Sequence, residues 1–231
     1  MKGVIKLAER FFFLSTPCSG KLFAEVPCQF TYYNGFSLSQ KQKSILSMHE
    51  KITNLYEKVK VLEISTKSTN TLGIQLSAFN LILHTDNQQT HYSVENVYQS
   101  SKVFQDGGPY RDLLYVEPKA AKGDPRLKTS GKIIQFEFNN MKWDIEPKTM
   151  FYDWLYINAL NQNPELAAKI MHYNAFTDIE FNQKKSVNCQ ARAAAIYVSL
   201  RERGLMAKYL ADKEKFKTIY QRNTYVQTSL F

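Results

Sequence analysis

One segment of the chain, SVENVYQSSKVF, sets a carboxylate, an amide and an amine at helical intervals. Ser93 is a natural N-cap, and the pattern predicts a helix running to about Phe104. At 100° per residue, Val94, Val97, Ser101 and Phe104 make one buried stripe. Glu95, Gln99 and Lys102 then share another face at i, i+4 and i+7, with Tyr98 on the boundary. A carboxylate and an amine on one wall of a cleft could divide the work of proton transfer and nucleophilic attack. The plainer reading is a solvated polar face carrying a helix ion pair, and spacing alone favours it.

Other segments hold binding chemistry. In GFSLSQKQKSI, Lys41 and Lys43 fall in the first turns of a helix, against its dipole, where exposed amides and lysines could meet a phosphate. Two solvated lysines are the plainer alternative. The basic run KGDPRLKTSGK, Lys122 to Lys132, reads as a flexible turn that adds charge through Arg126 and Lys128 to a nucleic-acid face. Trp143 and Trp154 are the only tryptophans. Core is the default for both, although Trp143, beside Asp144, is freer to stack on a base or ribose. FTDIEFNQKKSVNCQ crowds Asp178, Glu180, Asn182, Asn188 and Gln190 into an irregular stretch that could form a site or simply cap and turn.

These residues need elements to hold them. From Phe11 to Tyr33 the pattern is aromatic and β-branched, broken by Pro17, Gly20 and Pro27, and it predicts strands and turns. Beyond Gly35, Ser37 or Ser39 can cap a helix carrying Ile45, Met48, Ile52, Leu55 and Val59. VLEIST, AFNLILHT and KIIQFEF read as short strands. Pro147 opens the helical KTMFYDWLYINAL, Asn163-Pro164 the next helix, and CQARAAAIYVSLRERG closes on Gly204. Short strands mixed with longer helices, without βαβ alternation, predict an α+β, helix-rich fold. The expected organisation is an N-terminal extension over residues 1–34 followed by a catalytic domain over 35–231.

Composition narrows the function. Hydrophobic residues make up 44% and charged residues 22%, the balance of a globular protein rather than a disordered one. The longest apolar runs fall well short of the roughly 20 residues a membrane-spanning helix needs. Glu9 and Arg10 interrupt the N-terminal segment that most resembles a signal peptide, so a cytoplasmic location is expected. Three cysteines, Cys18, Cys28 and Cys189, and four scattered histidines match neither a disulfide framework nor a zinc site. The formal charge of +9 favours an anionic partner, nucleic acid or a phosphorylated substrate.

Taken in order from Gly35 to Ala191, GFSLSQKQKSI, LEISTKS, GIQLSAFNL, SVENVYQSSKVFQDGGPYRDL, KTMFYDWLYINAL and FTDIEFNQKKSVNCQA resemble the NADAR family, and closely its antitoxins encoded beside DarT-type toxins. SVENVYQSSKVF is similar to the family's S-x-E-x-x-x-Q-x-x-K-F core. LSAFNL is similar to its L-S-N-F element, with Ala78 where asparagine is usual, a contact that Asn80 could supply. The family's later W-G element has no counterpart here. The resemblance implies an α+β NADAR-like domain and an N-glycosidase that removes ADP-ribose from guanine in DNA, reversing a partner ADP-ribosyltransferase. It needs neither metal nor cofactor. Other branches resemble enzymes cleaving riboflavin-pathway glycosylamines, and a non-enzymatic antitoxin that binds its toxin is a third reading. By motif position Glu95 and Lys102 are the implied catalytic pair. Ser77, Phe79, Asn80, Tyr98, Gln99, Trp143, Glu180, Asn182 and Asn188 are the implied substrate contacts. Breaking the C1″–N bond builds positive charge on the ribose that a carboxylate can stabilise, or lets a lysine of lowered pKa capture the opened sugar as a Schiff base.

Overall fold

The computed structural model describes residues 5–15, 20–84, 91–182 and 188–223, so Cys18 lies outside the described residues. Two long strands, β1 (Ile5–Ser15) and β2 (Phe23–Tyr33), form an antiparallel ribbon. Pro27 fits in β2 because that strand lies at the sheet edge, where a missing N–H leaves no ladder bond unmade. Ser37 caps α1 (Leu38–Leu55), which lays Ile45, Met48 and Ile52 on Phe12, Val26, Cys28 and Phe30 of the ribbon. The hydroxyls of Ser44 and Ser47 accept the outward N–H groups of Tyr33 and Thr31, closing an edge that would otherwise invite pairing.

β3 (Val61–Glu63) leads to the short α2 (Thr71–Gln75), capped by Asn70. Gly73 lets the two approach closely, since a Cβ there would stand 1.9 Å from the Glu63 carbonyl oxygen. β4 (Ile82–His84) and β5 (His91–Ser93) pair and deliver the chain to α3 (Val94–Ser100). After α3 come β6 (Lys102–Phe104), a 3-10 turn at Arg111–Tyr115, α4 (Pro118–Gly123) and α5 (Arg126–Thr129). Next are β7 (Ile133–Phe138), β8 (Met141–Trp143), α6 (Met150–Asn161) and α7 (Pro164–Ile170). The chain closes with β9 (Ala175–Thr177), α8 (Gln190–Glu202), α9 (Met206–Leu210) and α10 (Lys213–Asn223).

The described strands form three small sheets, ordered β2-β1-β9-β3, β4-β5 and β6-β7-β8, with β3 and β9 parallel. This is the α+β, helix-rich fold expected from the pattern. The N-terminal ribbon is continuous with it, because β1 pairs with β9 through Phe13 and Leu14. The main core is built on α6 and α8. α6 buries nearly all round, and Ala191, Ala193, Ala194 and Ala195 keep α8 slim enough to pack in the centre.

Three expectations are corrected. The helix from Ser93 stops at Ser100 instead of reaching Phe104. Ser100 and Ser101 both donate their hydroxyls to the Val97 carbonyl, and Lys102 then pairs as a strand with Phe136. The solvated polar face does not exist either, because all seven residues of α3 are buried. Finally, the basic run from Lys122 to Lys132 is not a flexible turn. It holds the end of α4 and the whole of α5, and Arg126 is tied to Asp112 and Asp124.

Candidate active site

A cavity of about 980 Å³ opens where α3, the turn at 77–79, the segment after β9 and the α4–α5 pair converge. That volume is at the upper end of the range of roughly 300–1,000 Å³ typical of ligand sites. Its floor is the polar side of α3. Gln99 Nε2 donates to Glu95 Oε1 at 2.6 Å, and Lys102 Nζ donates to Gln99 Oε1 at 2.6 Å. The amide therefore couples carboxylate and amine in one chain. Lys102 reaches it from β6, one element later than a continuous helix would have placed it.

The lysine lies 4.7 Å from the centroid of the Tyr98 ring. Burial pulls its pKa down to about 8, against the upward pull of Glu95 and with a smaller downward push from Lys122. Lys122, from α4, stands 3.7 Å from Glu95 Oε1 and 4.9 Å from the Phe79 ring. The carboxylate thus has one cation beside it and a second linked to it through Gln99. Tyr98, itself buried, carries its hydroxyl within hydrogen-bonding reach of Asn188, and burial raises its pKa.

The turn before α3 is locked from behind. Glu95 N–H donates to the Ala78 carbonyl, Ala78 N–H donates to Gln190 Oε1, and Gln190 Nε2 donates to the Ile64 carbonyl. Ala78 thus makes both contacts through its own N–H and C=O, which need no asparagine side chain. Asn80 does not supply a substitute contact. Its amide donates to the Ile74 carbonyl and lines a separate hollow of about 340 Å³.

Asp178, in the segment after β9, lies beside the buried Glu63 of β3. Glu63 accepts from Ser65 Oγ, Thr177 Oγ1 and the Ile179 N–H, while Asp178 Oδ1 accepts the N–H groups of Glu180 and Phe181. Asp178 lines the cavity and Glu63 stands behind it. Burial, reinforced by the neighbouring Glu63, pushes the Asp178 pKa up to about 8, and burial likewise raises Glu63. His49 on α1 donates Nε2–H to Thr177 Oγ1 at 2.8 Å, since that hydroxyl's own proton goes to Glu63. Burial holds His49 down to about 4, keeping the ring neutral.

The sequence-derived residues therefore separate into groups. Glu95, Lys102, Ser77, Phe79, Tyr98, Gln99, Glu180, Asn188 and Lys128 all line the cavity. Trp143 does not. It is 2% exposed, packed on Phe151 and Trp154 with Lys213 over its ring, so the substrate contact implied for it is replaced by a core role. Asn182 adjoins the cavity-lining Phe181 without lining the cavity itself. Lys41 is engaged by Glu180 at 3.0 Å and by the Tyr32 hydroxyl at 3.0 Å. Burial opposes its charge, but those two partners outweigh it and raise its pKa. Lys43 is exposed on α1. Arg126 is held by two carboxylates and the Tyr110 ring, so its charge is already answered within the fold.

Residues 8–229 match the family described as DarT1-associated NADAR antitoxin. The chain belongs to this family. No curated protein shows significant similarity to it. The role of a DarT1-associated NADAR antitoxin is to counter a DarT toxin. No helix among the described residues is long and apolar enough to cross a membrane.

Several cavity residues of this NADAR protein carry no signal in the sequence pattern. Lys67, Lys119 and Lys148 converge on the cavity from three separate segments, alongside Lys122 from the basic run. Pro118 at the first position of α4 was the one local mark that Lys119 and Lys122 sit on a helix. Asp178 stood in a segment rich in polar residues, but its burial against Glu63 depends on the parallel pairing of β3 with β9.

Proposed function

We propose that this NADAR protein is an N-glycosidase that removes ADP-ribose from guanine bases in DNA, and so acts as the antitoxin of a DarT-type ADP-ribosyltransferase. The observation that carries the reading is the Glu95–Gln99–Lys102 chain on the floor of a lysine-rimmed cavity. Glu95 stabilises the positive charge that develops on the ribose as the C1″–N bond breaks, and it accepts a proton from the attacking water. Lys102, partly neutral near pH 8, captures the ring-opened sugar as an imine or polarises it as a cation. Gln99 fixes the two relative to each other. Tyr98, Phe79 and Ser77 line the space a ribose and base would fill, and the lysines around them answer a pyrophosphate.

The cavity volume and its lysines favour a nucleoside-diphosphate sugar over a smaller glycosylamine phosphate. The net charge of +9 suits a substrate carried on DNA. The direct test is incubation with single-stranded DNA ADP-ribosylated on guanine. Release of free ADP-ribose and recovery of unmodified DNA is the expected result. Intact modified DNA in the presence of folded protein would refute the reading.

A further inference from the structure

Asp178 lies apart from the Glu95–Lys102 chain, yet it faces the same cavity. The surroundings of the two carboxyl groups are opposite in character. Glu95 has the Gln99 amide and the Lys122 ammonium against it. Asp178 has Glu63 from β3, Glu180 from its own segment, Cys189 and Gln190 from α8, and Tyr152 and Tyr156 from α6. None of those groups is a cation. Glu63 and Asp178 also differ in their bonds: Ser65, Thr177 and Ile179 occupy both oxygens of Glu63, whereas Asp178 receives two main-chain N–H groups on Oδ1 and a side-chain bond from Gln190. Two carboxyl groups in one cavity, one beside a cation and the other beside a second carboxyl, are an arrangement that can divide acid from base.

We propose that Asp178 is the catalytic acid of this cavity, giving its proton to the departing base nitrogen, and that Glu63 is a positioning residue that keeps the proton on it. The assignment rests on the glycosidase reading and deepens it. A nitrogen leaving with both bond electrons needs a proton, and water attacking C1″ must lose one. The balance is complete. The C1″–N bond breaks as Asp178 protonates the nitrogen, a C1″–O bond forms from water, and the water's second proton passes to Glu95. Solvent then removes that proton and returns one to Asp178.

Two measurements on Asp178→Asn test this. The amide keeps the shape and cannot give up a proton, so kcat for ADP-ribosylated DNA should fall by about 10² or more while ADP-ribose affinity is unchanged. Independently of activity, a carboxyl group whose folded pKa lies above its unfolded one stabilises the fold at low pH and ceases to do so as pH rises through the folded value. The Asp178 contribution should therefore be lost between about pH 4 and 8. Neutral His49, bonded to Thr177 behind the pair, adds an opposite slope below about pH 6.5. The readout is the difference in thermal stability between wild type and Asp178→Asn, which should shrink over about pH 4 to 8. Glu63→Gln removes the like charge, so the window of that loss should move to lower pH and kcat should drop without a change in KM. A purely structural Glu63 would lower stability evenly across pH.

Near-normal kcat in folded Asp178→Asn overturns the assignment and leaves the glycosidase reading intact. A wild-type-to-variant stability difference that stays constant between about pH 4 and 8 overturns it as well. A wild-type protein that releases no ADP-ribose overturns the glycosidase reading and the catalytic role together, whatever the stability arm returns.

Discussion

Gln99 joins Glu95 to Lys102 by two bonds of 2.6 Å, and this makes the roles of its neighbours separable by substitution. Glu95→Gln keeps the volume and loses the charge. Turnover should fall by about 10² or more with the fold intact, the size expected on removal of a positioned acid–base group. Circular dichroism and single-turnover release of ADP-ribose check this, and normal turnover would remove Glu95 from the chemistry. Lys102 is a sharper case. With its pKa brought to about 8, roughly a tenth of it is neutral at pH 7 and most of it by pH 9. If it attacks the sugar, borohydride added during turnover should trap an adduct of ADP-ribose mass on Lys102. The yield should rise with pH through about 8, and Lys102→Arg should abolish it. If it acts through charge alone, Lys102→Arg stays active and activity falls over the same range.

At the scale of elements, the site depends on helices that are held from behind. Asp153 of α6, fully buried, receives Arg192 of α8 through Nε at 3.0 Å and through a second guanidinium nitrogen at 3.2 Å. Tyr220 of α10 adds a bond of 2.7 Å to the same carboxylate. Three helices thus meet on one carboxylate, and α6 and α8 carry the cavity residues Tyr152 and Gln190. Removing the carboxylate breaks this largely buried ion pair and the bond from Tyr220. Asp153→Ala should cost about 3–5 kcal/mol in denaturant unfolding, read as a lower midpoint at unchanged slope. Tyr220→Phe deletes one bond to a charged acceptor and should cost about 1.5–3 kcal/mol. Equal stability in the Asp153 variant would mean that Arg192 finds another partner.

At the scale of the whole molecule, the net positive charge is distributed unevenly in what it leaves available. Arg126 and Lys41 are already matched to carboxylates, whereas Lys67, Lys119, Lys128 and Lys148 face the cavity with no ion pair to any described residue. The salt dependence of DNA binding should therefore follow the second group. Gln substitution at Lys119, Lys128 or Lys148 should raise KM, leave kcat nearly unchanged and reduce the slope of log K against log salt by about 1 each. Lys41→Gln should leave the slope unchanged and instead loosen the segment that carries Glu180. A slope that responds to Lys41 and not to the cavity lysines would move the DNA path to the N-terminus of α1.

The sequence by itself determined the local vocabulary: the ribbon from aromatic alternation, the caps at Ser37 and Ser93, and the stop at Gly204, which sits at φ +64°. It also held the Glu95, Gln99 and Lys102 set, because residue types and their order are local facts. Tertiary structure decided everything that depends on who is behind whom. Whether α3 was a wet face or a cavity floor turned on α4 and α6 packing around it, and periodicity cannot see a partner brought from elsewhere. Trp143 became core because β8 places it on Phe151 and Trp154. The Asp178 pKa is raised only because the fold buries it and because β9 pairs in parallel with β3 and brings Glu63 alongside, separated from it by more than a hundred residues of chain. Desolvation and like-charge repulsion act through space, and so they are written in the fold rather than in the spacing of the residues.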